Sequence, residues 1–338
     1  MKKSLKKTIQ ISLFIFVGLL IFFLVYKDLD LNKIINALRY ADYRWIAFSL
    51  VLGVFSHISR AVRWVLLIKP LGYKPKTVNA FFSVMIMYLT NTAVPRSGEF
   101  VRCSVMTRYE KVPFSKLLGT VITERVFDFI MLFIFLALVF IYQIKEVETI
   151  IANNPGVYER FSNFFTGKTL IIIGSIFIVM LMSLYIFRNK LKKTLIWEKI
   201  LGFIKNLAEG IKTVWYMKKK AWFIFHTVAI WVFYFLMIYV TFFAFDFTSE
   251  LTLMQGLTIF VAASFGMVFP SPGGIGSWHF MVIQTLFIYG IHDLDQAGAF
   301  AFAAHGAMTL MLIVLGILSF IFMPLVNEKS IQKLVKNT

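Results

Sequence analysis

Val94–Arg102 reads VPRSGEFVR and follows FFSVMIMYLTNTA (Phe81–Ala93), an apolar run that looks like the start of a membrane span. A chain heading into lipid has no obvious reason to stop at a proline and place Arg96, Glu99 and Arg102 just beyond it. The stretch FPSPGGIGSWHF (Phe269–Phe280) repeats the puzzle after LTIFVAASFGMV. Pro95 has no N–H and cannot continue a helix over Thr77–Thr92. Gly98 accepts positive φ and lets the chain turn. Two segments, Thr77–Met106 and Leu251–Ile291, therefore read as apolar arm, Pro/Gly break, second arm. Irregular backbone at membrane depth is tolerated only where protein or a watery cavity covers it. Both segments are thus expected to be re-entrant hairpins, with their turns at Pro95 and at Pro272, Gly273, Gly274 and Gly276.

Composition sets the frame around these stretches. Of 338 residues, 59% are hydrophobic and 15% are charged, against about 25% charged in globular proteins. This marks a polytopic membrane protein. One cysteine, Cys103, excludes an internal disulfide and a Cys-based zinc site. The net charge of +18 lies in loops beside apolar spans, the positive-inside pattern, and not in a groove for nucleic acid. The N-terminal apolar core Ile9–Tyr26 is too long for a cleaved signal and lacks a small-residue cleavage site, so it reads as a retained span.

Spans of about 20 apolar residues are expected at Ile9–Tyr26, Trp45–Ile68, Leu117–Tyr142, Thr169–Phe187, Ala221–Phe245 and Ala297–Pro324. With the N-terminus cytoplasmic and both hairpins returning to their own side, cytoplasmic loops hold 25 Lys and Arg and external loops hold 7. That bias places both termini in the cytoplasm. The predicted fold is an all-α polytopic membrane protein of six full transmembrane helices plus two re-entrant broken-helix hairpins in an inverted repeat, as in many secondary transporters. The first repeat is 1–142 with hairpin 77–106, and an external loop covers 143–168. The second is 169–324, with a cytoplasmic amphipathic segment at 189–220 and hairpin 251–291, before a cytoplasmic tail at 325–338.

Charges inside the spans are the candidate site. A free helix start after Gly98 seeks anions, and Arg96 and Arg102 add donors suited to phosphate. Glu99 would hold one of them or meet a cationic head group. The bland reading is an interfacial turn with snorkelling arginines. His57, Arg60 and Arg63 share a helical face. Glu124 and Asp128 are i, i+4 neighbours, with Arg125 beside them. An unpaired charge in the bilayer costs about 3 kcal/mol or more, so an Arg60/Arg63–Glu124/Asp128 ion-pair cluster is expected, with either a structural or a substrate role. His279 and His305 read first as packed, hydrogen-bonded histidines and second as ligands or proton carriers.

The ordered set PRSGEFVR, TERVFD and PGGIG resembles the lysylphosphatidylglycerol synthase transmembrane family, the flippase-like membrane region of the multiple peptide resistance factor, over about Lys6–Pro324. The resemblance implies a bacterial or archaeal inner-membrane protein that moves or handles a phosphate-bearing lipid. It carries over to Pro95, Gly98, Glu99, Arg102, Glu124, Arg125, Asp128, Pro272, Gly273, Gly274 and Gly276. The sequence departs at His279, where many relatives have Glu. The soluble acyltransferase-like domain of the full synthase is expected to be missing. No HExxH, G-x-S-x-G, Walker loop or Cys/His metal spacing occurs, so no cofactor, metal or catalytic residue is expected. Two other readings remain: a membrane subunit of a lipid-modifying transferase, and a scaffold for a separately encoded enzyme. The expected partners are anionic membrane lipids.

Overall fold

A computed structural model describes residues 2–153, 214–269 and 271–328. The expected span Thr169–Phe187, the amphipathic segment before Val214, the rest of the 143–168 loop beyond Asn153, and the tail from Lys329 lie outside the described residues. Among those described there is no strand. The helices are α1 (Lys2–Tyr26), α2 (Leu31–Tyr40), α3 (Tyr43–Ile68), α4 (Thr77–Ala93), α5 (Gly98–Glu110), α6 (Phe114–Asn153), α7 (Lys220–Thr241), α8 (Leu253–Val268), α9 (Ser277–Ile288) and α10 (Leu294–Val326).

Four stretches among the described residues are long and apolar enough to cross a membrane: Tyr43–Leu71, Phe114–Gln143, Lys220–Ala244 and Leu294–Val326. Each contains or nearly matches a span expected from the sequence. Apolar side chains such as Phe55, Phe133, Phe225 and Phe320 stand on their outer surfaces, as lipid-facing helices require. α6 stays helical past Tyr142 to Asn153, so the first part of the expected 143–168 loop continues the helix.

Helix ends follow local chemistry. Asp30, Asp42 and Asp293 cap α2, α3 and α10 with their carboxylates, and Thr252 with Gln255 forms a capping box on α8; each satisfies N–H groups that a helix start leaves free. α4 stops at Ala93 because Val94, preceding a proline, is held extended at φ −130°, ψ 107°.

α2 was not anticipated. The segment 27–44 is short and rich in charge, yet Asp30 caps a ten-residue helix whose Ile34 is buried. Asp295 on α10 accepts the Asp30 N–H at 2.8 Å and pairs with Lys33 at 3.0 Å, fastening α2 to the start of α10.

α4 and α5 form a helical hairpin. Glu110, at the end of α5, accepts from the Lys76 N–H at 3.0 Å and from Asn79 Nδ2 at 2.5 Å at the start of α4. Asn79 also exchanges amide hydrogen bonds with Asn327 at 3.0 and 2.8 Å, tying the hairpin base to the end of α10. At the tip, the positive φ falls on Arg96 (60°) and not on Gly98, which corrects the sequence reading. Gly98 serves close approach: a Cβ there would collide with the Met87 carbonyl and sit 2.8 Å from Met87 Cγ. Its N–H is taken by Asn91 Oδ1 at 2.8 Å.

α8 and α9 form the second hairpin around Pro272–Gly274. Gly273, Gly274 and Gly276 all have positive φ, at 57°, 83° and 83°. A Cβ on Gly276 would stand 2.6 Å from Gly18 O and 2.7 Å from Phe22 N of α1. Gly276→Ala combines a left-handed backbone with this clash, so it is expected to lower stability by at least ~1–2 kcal/mol, read as a drop in the thermal midpoint of the detergent-purified protein.

The two hairpin turns touch. A Cβ on Gly273 would lie 3.7 Å from Thr92 Cγ2, and Arg96 Nη2 donates to the Val268 carbonyl at the end of α8 at 3.0 Å.

Candidate functional site

Arg60 and Arg63 lie one turn apart on α3, and Glu124 and Asp128 one turn apart on α6. The helices pack so that these faces meet. Arg60 Nη1 donates to Asp128 Oδ2 at 3.1 Å, and Arg63 Nη2 donates to Asp128 Oδ1 at 2.8 Å. Arg63 also lies 3.5 Å from Glu124 and 3.4 Å from the Thr227 hydroxyl on α7. Arg102, on α5, donates to Glu124 Oε2 and sits over the Trp64 ring, its Cζ 4.5 Å from the centroid. Trp64 is held in turn by a 2.8 Å bond from Nε1 to the Thr120 hydroxyl. Arg125 donates to Glu99 at 2.7 Å and lies 3.5 Å from Asp128.

These contacts form one continuous chain: Glu99, Arg125, Asp128, Arg60 and Arg63, Glu124, Arg102. It joins α3, α5 and α6. Four arginines meet three carboxylates, so the formal charge of the cluster is +1. The inner members are sealed: Arg63, Arg102 and Glu124 have fully buried side chains, while Arg125 is 45% exposed and Glu99 23%. The network therefore opens at its Arg125 end. Arg102 Nη1 and Nε, Arg60 Nε, Arg63 Nε and Glu99 Oε2 are buried with no hydrogen-bond partner among the described residues.

Three sequence expectations change here. Glu99 holds Arg125, not Arg96 or Arg102, because α5 turns it toward α6. Arg96 and Arg102 do not converge on one spot: Arg96 is exposed at the tip and engaged with α8, whereas Arg102 is buried against Glu124 and Trp64. The start of α5 is also less free than a bare helix end, since Asn91 occupies the Gly98 N–H.

At the second hairpin, His305 Nε2 lies 2.9 Å from the Gly273 carbonyl, and Thr309 Oγ1 lies 3.4 Å from its Nδ1. The Gly276 N–H donates to His279 Nδ1 at 3.4 Å. The two imidazoles pack edge to face, 4.6 Å between centroids, and both are buried. The carbonyl contact favours a proton on His305 Nε2, leaving Nδ1 to accept from Thr309. Both histidines thus brace the turn. Among the described residues no group of three His, Cys, Asp or Glu stands together to hold a metal ion.

The family model for the lysylphosphatidylglycerol synthase transmembrane region matches residues 9–316, which takes in both hairpins and the whole ion-pair network. The chain belongs to that family. One relative is the UPF0104 membrane protein MJ1595 of Methanocaldococcus jannaschii. It is 25% identical over 125 residues, 36% of this chain and 37% of that protein. A second relative is the glycosyltransferase AglD of Haloferax volcanii, 29% identical over 101 residues, 30% of this chain and 16% of that protein. The chain thus spans well under half the length of either relative. No solved structure matches it.

Sequence reasoning found every charged member of the network in this family member but missed what surrounds it. Trp64, Thr120, Thr227 and Asn91 are uncharged and sit among apolar runs, so no spacing rule marks them. Tyr88 and Tyr234, hydrogen-bonded through their hydroxyls at 2.9 Å, were missed for the same reason.

Proposed function

We propose that this membrane protein binds a phosphate-bearing lipid at the open end of the arginine network and carries it across the bilayer, as a flippase or lipid transporter. The observation that carries the reading is the composition of the network. A charge cluster built only to join helices would balance itself, because each uncompensated charge in the membrane is costly. This one keeps an excess arginine and several unused N–H donors, and its outermost guanidinium is accessible. An anionic head group would neutralise the excess and supply acceptors, and guanidinium is matched to phosphate oxygens.

The two hairpins support a transport role. Broken helices meeting by their turns are the architecture of inverted-repeat transporters, where the site lies at the junction. On this reading both hairpins are re-entrant, one from each face, both termini are cytoplasmic, and the protein resides in a bacterial or archaeal cytoplasmic membrane. A cysteine at Asp293 should then react with an impermeant thiol reagent from outside, in a Cys103→Ser background, and one at Lys116 should not. External labelling at Lys116 would mean that the first hairpin crosses the membrane. The glycosyltransferase name of the Haloferax relative favours one further reading: a membrane partner that presents its lipid to a lipid-modifying enzyme.

The binding half of the proposal is tested by the lipids that copurify. Mass spectrometry of the wild-type protein should find anionic phospholipid or polyprenyl phosphate enriched over the bulk membrane. Arg125→Gln, which removes the accessible guanidinium, should lose that enrichment while remaining monodisperse. Equal lipid profiles in the two proteins would remove the network as the binding site.

A further inference from the structure

At the second hairpin, His279 on α9 and His305 on α10 stand as a buried pair, 2% and 3% exposed, with ring centroids 4.6 Å apart. Each holds one end of the glycine turn. His305 Nε2 meets the Gly273 carbonyl at 2.9 Å, and His279 Nδ1 accepts the Gly276 N–H at 3.4 Å. The second contact exists only while Nδ1 carries no proton. α1 closes over the pair: Phe22 and Tyr26 lie 5.2 and 5.6 Å from the His279 ring. Trp278 of α9 lies 5.1 Å from the His305 ring, Thr309 of α10 bonds to it, and Met267 of α8 packs on Gly274. Tyr26 is thus the titratable neighbour that the packed helices add. No carboxylate, lysine or arginine among the described residues acts on either imidazole. The charges on these elements are engaged elsewhere: Arg96 with the Val268 carbonyl, and Asp295 with Lys33, about three turns before His305 along α10.

We infer that His279 and His305 form a proton-binding site, and that a proton taken up there from water releases the Pro272–Gly276 turn from α1 and α10. The closed turn is built for two neutral rings. A proton added to His279 Nδ1 replaces an acceptor by a donor, sets N–H against the Gly276 N–H and breaks that bond. A proton added to His305 Nδ1 is tolerated by the Thr309 hydroxyl, which turns to accept it, but leaves a positive charge buried with no anion beside it, and such burial is strongly unfavourable. Both routes therefore oppose the closed turn, and whichever ring is charged first repels a second proton on the other. Once the turn lifts away, water solvates the imidazolium and the cost disappears. The open turn thus binds more protons than the closed one. Linkage then fixes the sign: the closed turn is fully favoured above the ordinary imidazole value of ~6.5 and is lost as pH falls below it. α1 must yield in the same step, because Gly276 lies against its backbone at Gly18 and Phe22. This inference stands on the turn alone and holds whatever the protein carries.

The test is amide hydrogen exchange of the full chain in detergent between pH 8 and pH 5, corrected for the intrinsic pH dependence of exchange. The turn carries its own reporters: the N–H groups of Gly274, Ile275 and Phe280 are held by Ser271, Pro272 and Gly276 carbonyls at 3.3, 3.0 and 2.9 Å. In the wild type their protection should fall by at least about thirtyfold, the factor by which an imidazole of ordinary pKa ~6.5 favours its charged form at pH 5, while the middle of α8 stays protected. His279→Asn combined with His305→Gln puts an amide oxygen in place of Nδ1 and an amide N–H in place of Nε2. It keeps both turn contacts, cannot titrate, and should hold its protection constant to within about threefold. His279→Phe with His305→Gln keeps the ring packing on Phe22 and Tyr26 and should give the same flat profile if Asn loosens the turn at pH 8. A flat wild-type profile overturns the inference, as does a fall that persists in either double variant. A wild-type fall that begins only below about pH 5, where carboxylates titrate, overturns it whatever the variants do. Lipid movement plays no part in this readout, so its outcome leaves the transport reading to its own tests.

Discussion

Asp128→Leu is expected to destabilise the protein by ~3–5 kcal/mol, the range found when one partner of a buried pair is removed. Asp128 is the shared acceptor of Arg60, Arg63 and Arg125. Without it Arg60 loses its one ion-pair partner among the described residues, and the formal charge of the cluster rises from +1 to +2. Arg63→Leu should cost less. Asp128 then keeps Arg60 and Arg125, Glu124 keeps Arg102, and the cluster becomes neutral. Arg60→Leu introduced into Asp128→Leu should recover part of the loss, because it removes the stranded charge. Thermal unfolding of detergent-purified variants reads the order. If Asp128→Leu melts like the wild type, the arginines are hydrated in a water-filled space and the network is not a sealed junction.

Gly98→Val is expected to prevent the first hairpin from closing. The added Cβ would meet the Met87 carbonyl, and the rest of the side chain would have to displace Asn91, whose side-chain oxygen holds the Gly98 N–H. Overpacking a side-chain contact typically costs ~1–3 kcal/mol. A clash with backbone relaxes less easily, so little folded protein should be recovered. Gly119→Ala on α6 is the control. Nothing lies within 4 Å of its Cβ position, and a helical Gly→Ala change is favourable by up to ~1 kcal/mol. Equal yields of Gly98→Val and Gly119→Ala, measured as monodisperse protein on size exclusion, would contradict the close packing of α4 on α5.

Much of the fold was legible because a bilayer leaves few options. Long apolar runs gave α3, α7 and α10 to within a few residues and the start of α6, whose helix runs on past the expected end at Tyr142 to Asn153. Pro95 gave the break after α4, since a missing N–H acts locally and needs no tertiary knowledge. α2 was hidden because Lys27, Asp28, Asp30, Lys33 and Arg39 swamp the apolar signal of Ile34 and Leu38. The Asp30 cap and the spacing of those two residues were the available cues.

The site divided along the same line. Arg60, Arg63, Glu124 and Asp128 could be matched across helices because the membrane forces charges to find one another and each pair already shared a helical face. The partners of Glu99 and Arg102 could not be read, because they depend on how α5 is rotated after the turn. That rotation follows from Gly98 seating against Met87 and from Arg96, not Gly98, taking the left-handed backbone. Tyr88, Tyr234 and Trp64 carry no charge, and an aromatic residue in an apolar run has no signature apart from its neighbours in space.

Lipid movement in proteoliposomes tests the central claim most directly. Fluorescent phosphatidylglycerol, initially in both leaflets, is quenched from outside by dithionite, and the protected fraction reports whether lipid reaches the outer leaflet. The account predicts that wild-type protein lowers the protected fraction well below that of protein-free liposomes. It predicts also that Arg125→Gln, with its thermal midpoint near that of the wild type, slows the exchange at least about tenfold, the equivalent of ~1.4 kcal/mol. Wild-type vesicles that protect as much lipid as empty ones, or Arg125→Gln vesicles that exchange at the wild-type rate, would contradict it.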